Sequence, residues 1–169
     1  GRFTEGKGVL QAIDVARRTD HRLVLAAAEN DYYRESVASH VDGHQIVYAG
    51  EVDQAAKAAL LGGARALIYP VQQAESFGLV LTEAMTCGTP VAALDQGAVS
   101  ELVDNGVTGQ VSRSLDALVA SLPAVEALDR HAVRTRARDR FGPSRMVDAH
   151  VEVYTRLATQ ARAIPPCPA

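Results

Sequence analysis

The chain has 169 residues, of which 47% are hydrophobic and 22% charged, enough for one globular domain with a buried core. A formal charge of −3 leaves no global basic field to draw the chain to nucleic acid or to an anionic membrane, and two cysteines, Cys87 and Cys167, make no disulfide or zinc framework. No apolar run approaches the roughly 18 residues of a membrane span, and GRFTEGKG is no signal peptide, so a soluble, cytoplasmic protein is expected.

Those first residues read as a loop that enters directly on a helix. An α/β domain ordinarily begins with a strand, and the chain is therefore expected to be a piece of a longer protein, cut just after one. Val9, Leu10, Ile13, Val15 and Ala16 carry the apolar stripe of the first helix, and HRLVLAAA (21–28) predicts a buried strand. A helix capped by Asn30 or Asp31 follows, then Gly43 and the strand QIVYAG (45–50). Asp53 caps a helix that Gly62 and Gly63 stop, and RALIYP (65–70) is a strand closed by Pro70. A helix beginning near Gly78 ends at the GTP of 88–90. The strand TPVAAL (89–94), the short helix AVSELVDNG (98–106) and the short strand TGQVS (108–112) come next. Two helices around Pro123 and a longer one over 142–162 complete the pattern, and the tail AIPPCPA is expected to be unstructured.

Continuous apolar strands alternating with helices predict an α/β fold: a doubly wound, Rossmann-like parallel sheet with helices on both faces. Such sheets bind ligands beyond the carboxyl ends of their strands. The loops there are 1–8, 26–31, 49–54, 70–78 and 94–98.

Within the apolar stretch 74–97, Glu75 and Glu83 stand eight residues apart on either side of a helix start. Phe77, Gly78 and Leu79 would place free backbone N–H groups and the positive dipole end there, which suits a phosphate. Glu83, about one and a half turns further on, is at the distance of a ribose from its own diphosphate. Apolar neighbours suggest a buried helix, in which a carboxylate needs donors such as a ribose diol. Glu75 lies on the opposite side of the anion site, where a sugar hydroxyl would be. Taken singly, each glutamate is better read as solvated or ion-paired. Lys7, flanked by Gly6 and Gly8, and Arg2 supply the independent sign: two cations suited to phosphates in a loop at the same sheet edge.

Together these residues resemble a known family. ESFGLVLTEAMTCGTPVAA has the E-x7-E pattern and surrounding context of retaining glycosyltransferases of the GT-B fold, family 4. GRFTEGKG is similar to the G-R-x-x-x-x-K-G loop that opens their donor-binding domain, and YAGEVD and ELVDNGVTG fall in the expected order. The resemblance covers residues 1–157 and implies the C-terminal, nucleotide-sugar-binding half of such an enzyme, close to its mannosyltransferase-like members, with 158–169 as a tail. It implies that Arg2 and Lys7 clasp the diphosphate, that Glu75 orients the donor sugar, and that Glu83 takes the ribose hydroxyls. Ser76, Phe77, Gly78 and Leu79 would line sugar and phosphate, Val52 would edge the base, and Lys57 would reach the nucleotide. The donor would be a UDP-, GDP- or ADP-sugar, with retention of configuration and no essential metal or other cofactor. The acceptor-binding N-terminal domain is absent, so the chain alone is expected to transfer nothing. QGAVSE stands where the family often has G-G-x-P-E, with Ala98 and Ser100 as the departures, and LAAAEND lacks a common glycine pair.

Rival readings are weaker. GRFTEGKG lacks the hydroxyl that a phosphate-binding P-loop places after its lysine. An epimerase or phosphorylase of the same fold, or a sugar-nucleotide-binding domain without catalysis, are the alternatives. The arginines of DRHAVRTRARDRF, with no interleaved aromatics, read as a solvated helix face rather than a nucleic-acid surface. His40 and His44 flank a turn and share no helix face as metal ligands would, and Cys87 reads as a small core residue.

Overall fold

The computed structural model describes residues 2–162, with side chains through Gln160. Helix α1 (Val9–Arg18) leads to β1 (Leu23–Ala26), and an irregular helical segment leads on to β2 (Ile46–Gly50). Then follow α2 (Gln54–Gly63), β3 (Leu67–Tyr69), α3 (Leu79–Thr86), β4 (Val91–Leu94), α4 (Val99–Leu102) and β5 (Gly109–Ser112). The chain finishes in α5 (Leu115–Glu126), α6 (Arg130–Phe141) and α7 (Pro143–Arg162). None of the described helices is long and apolar enough to cross a membrane. The tail beyond Arg162, with Cys167, lies outside the described residues.

All strand pairings are parallel, as the apolar runs predict. The hydrogen-bonded ladder comes in two pieces: β1 pairs with β2, from Leu23 against Ile46 to Ala26 against Gly50, and β3, β4 and β5 form a second sheet in that order. Helix α1 packs against both. Its Val9, Ile13 and Ala16 meet Leu25 and Ile46, while Val15, on another face, joins Ala92, Leu94 and Leu118. The central strand β4 is buried at all four positions. Each fully buried Val or Leu there contributes about 1.5–3 kcal/mol.

Several sequence expectations are corrected. β1 is only partly buried, with Val24 40% exposed, because among the described residues it pairs on one edge alone. Asn30 does cap the following segment, accepting from the Tyr33 N–H at 2.9 Å, but Tyr33–Val37 forms a wide π turn and Ala38–His40 a tight one in place of a regular helix. α5 runs through Pro123, and the break falls at 127–129. Leu118, Leu122 and Val125 bury one face across the proline and hold the helix together despite the missing N–H. The α6 arginines are not merely a solvated face. Arg130 donates to the carbonyls of Ala64 at 2.6 Å and Gly62 at 2.7 Å, closing the open end of α2. Arg136 and Arg140 both pair with Asp104 at 2.6 Å. Cys87 caps α3 and is half-buried rather than in the core.

Candidate functional site

The residues singled out from the sequence gather at the carboxyl ends of β2, β3 and β4. The loop 2–8 is held from three directions. Phe3 is buried in an aromatic cluster, with ring centroids 5.0 Å from Tyr33 and 5.8 Å from Tyr48, and its carbonyl accepts from Asn30 Nδ2 at 2.8 Å. The Gly6 carbonyl accepts from the Gln72 N–H at 2.9 Å. Gly8, at φ +70°, turns the chain into α1 so close to β3 that a Cβ would stand 1.9 Å from the Pro70 carbonyl oxygen. Only glycine fits that turn.

Lys7 is thereby aimed at Glu75. Its Nζ lies 2.5 Å from Glu75 Oε2 and 3.3 Å from the Tyr69 hydroxyl, which itself donates to the same carboxylate oxygen. The Glu75 side chain is 11% exposed, and a carboxylate so enclosed requires donors. The Lys7 ammonium, then the Tyr69 hydroxyl, hold its pKa down to about 2, against a weaker opposing effect of burial. Burial pulls the Lys7 pKa down, but the hydrogen bonds to Glu75 and Tyr69 outweigh it and the net shift is upward. Burial and then the carboxylate raise the Tyr69 pKa, so the phenol keeps its proton.

The second carboxylate has the second lysine. Lys57, on α2, reaches Glu83, on α3, at 2.6 Å, and both side chains are 34% exposed. The expectation of a helix buried on nearly all sides is corrected: Leu81, Ala84 and Met85 are buried, whereas Leu79 is 68% exposed and Phe77 45% exposed. A cleft of about 220 Å³ opens beside the pair, lined among others by Thr82, Glu83, Gln54 and Lys57. Gly78, at φ +86°, precedes the first residue of α3, so the helix begins where the sequence indicated. Ser76 is exposed and Val52 half-buried. Arg2 is exposed, with no hydrogen bond to Lys7 or Glu75 among the described residues.

Tyr69 and Gly97 escaped the sequence reading. Tyr69 offered one signal, a polar tip ending an apolar strand at the ligand edge. The Ala98 N–H donates to the Glu75 carbonyl at 2.9 Å and the Glu75 N–H to the Gln96 carbonyl at 3.4 Å, so the loop after β4 clasps the backbone of Glu75.

The sequence and the fold have counterparts among known proteins. A phosphatidyl-myo-inositol mannosyltransferase of Mycobacterium leprae is 32% identical over 93% of this chain and 42% of its own length. The crystal structure of AviGT4, a glycosyltransferase involved in avilamycin A biosynthesis, has a TM-score of 0.73 and 27% identity over 91% of this chain and 48% of its own. HepE of Anabaena in complex with UDP-glucose shares the fold, with a TM-score of 0.69 at 20% identity over 97% of this chain and 47% of its own. The chain thus spans about half the length of these relatives. The family model of the glycosyl transferases group 1 matches residues 1–140, a range that takes in both lysines, both glutamates and all five strands, and the chain belongs to that family.

Proposed function

We propose that this chain is the donor-binding half of a retaining, cytoplasmic glycosyltransferase that moves a hexose from a nucleotide-diphosphate sugar to an acceptor held by a separate domain. One observation carries the proposal. Two carboxylates bracket the start of α3, and each is held by a lysine from another element, Lys7 on Glu75 and Lys57 on Glu83. Without a ligand these four groups neutralise one another; with one, the lysines are free to meet phosphate and the carboxylates to accept from hydroxyls.

In this assignment Glu75 accepts from the sugar and Glu83 from the ribose. Arg2 and Lys7 take the diphosphate, with the backbone of Ser76, Phe77, Gly78 and Leu79 alongside. Val52 borders the base and Lys57 closes over the nucleotide. As the bond to the sugar breaks, charge accumulates on the leaving diphosphate, and the cations and N–H groups that meet it lower the barrier without a metal. HepE was crystallised with UDP and UDP-glucose, which supports a nucleotide-sugar ligand and makes UDP the first to test.

The test is calorimetric titration with UDP, GDP and ADP. Saturable binding of one of them, weakened in Lys7→Ala and Glu83→Ala, is the expected result. No binding of any at millimolar concentration would contradict the assignment.

A further inference from the structure

Tyr69 is the last residue of β3 and is 7% exposed. Phenylalanine would fill the same space, and a tyrosine hydroxyl at so buried a position needs a partner. Its partner is Glu75 Oε2, the oxygen that also receives the Lys7 ammonium. One carboxylate oxygen therefore has two donors from different elements, a mobile lysine on a loop and a tyrosine fixed in the sheet. Tyr69 has no room to swing away, because its ring is packed in the core and its backbone is tied to β4 at Ala93.

The two donors differ in what a ligand does to them. A diphosphate competes for Lys7, whose side chain is 27% exposed and long enough to turn toward an incoming anion. Once the lysine turns, Glu75 would be an enclosed anion that had lost its strongest donor. The hydroxyl of Tyr69 remains, with the Phe77 N–H as a weaker companion. We propose that Tyr69 is a positioning residue: its hydroxyl holds the Glu75 carboxylate aimed at the donor sugar when Lys7 leaves it for the diphosphate. The role rests on the donor-site function proposed above. It assigns Tyr69 to recognition of the sugar, since the hydroxyl acts through Glu75 and its longer contact with Lys7, at 3.3 Å, is given up when the lysine turns to the diphosphate.

The experiment compares dissociation constants for three matched pairs, UDP with UDP-glucose, GDP with GDP-mannose, and ADP with ADP-glucose. The chains are wild type, Tyr69→Phe, Glu75→Ala and the double variant, each checked for native circular dichroism. For the pair that binds, Tyr69→Phe should leave the free nucleotide's affinity near that of wild type and raise the ratio of nucleotide-sugar to nucleotide dissociation constants on the order of tenfold, as for a hydrogen bond to a charged group. In the Glu75→Ala background the same change should add nothing, because its target is gone. An unchanged ratio, equal weakening of both ligands, or full additivity with Glu75→Ala would overturn the positioning role while leaving the donor site standing. Failure of wild type to bind any of the six would instead remove the donor-site function, and this role with it.

Discussion

A Cβ on Gly97 would stand 2.4 Å from the carbonyl oxygen of Glu75. Gly97 holds φ at +61°, and that turn brings the Ala98 N–H onto the Glu75 carbonyl. The backbone beneath the Glu75 carboxylate is thus set by a glycine on the loop after β4. The departures at Ala98 and Ser100 leave this clasp intact, because it uses the backbone of 96–98 and needs a glycine only at 97. Gly97→Ala should destabilise the fold by about 1–3 kcal/mol and weaken nucleotide-sugar binding more than nucleotide binding. Urea denaturation and titration of the folded variant measure both; a wild-type midpoint would show that the clasp is not required.

Acid sensitivity should report the Glu75 cluster. Its folded-state pKa of about 2 lies below the ordinary 4.5, so between those values the unfolded chain binds the extra proton and stability rises with pH. The contribution is fully present above about pH 5 and fades as pH falls through 2. Glu75→Gln should therefore lose stability at neutral pH and show a flatter stability profile between pH 4.5 and 2 than wild type. Parallel profiles in denaturant melts would contradict the assigned pairing.

Arg130 makes a structural prediction away from the site. Its guanidinium closes α2 through two carbonyls and also meets the Thr89 hydroxyl at 2.9 Å. Arg130→Ala should cost about 2 kcal/mol, and lysine, a point donor, should recover only part of it. Nucleotide affinity of the folded variant should not change, since Arg130 meets the C-terminal end of α2, the end opposite Gln54 and Lys57.

The order of helices and parallel strands was legible because continuous apolar runs and glycine stops are local signals. So was the pairing of Glu75 and Glu83 with a helix start, since both belong to one stretch of chain. The lysine partners were half legible: Lys7 and Lys57 were picked out for a ligand, but their contacts with Glu75 and Glu83 span 68 and 26 residues and depend on how α2 and the first loop are placed. Tyr69 was hidden in an apolar strand, where its ring accounts for its presence until the fold of 70–78 brings Glu75 back over it. Arg130 was hidden in the same way, because its targets lie 41 to 68 residues distant and a helix pattern shows only its own face. Pro123 misled for the opposite reason: a strong local breaker was overridden by burial of the residues around it.

The most direct test of the site is a ribose comparison at Glu83. The Lys57–Glu83 pair is one-third exposed on both sides, so losing it should cost less than about 1 kcal/mol of stability and leave the fold intact. Dissociation constants would be measured for the nucleoside diphosphate that binds and for its 2′-deoxy form, on wild type and on Glu83→Ala. Wild type should prefer the ribose form on the order of tenfold, and Glu83→Ala should bind both alike at reduced affinity. An equal preference in both chains would contradict the assignment of Glu83 to the ribose and, with it, the direction in which the donor is laid across α3.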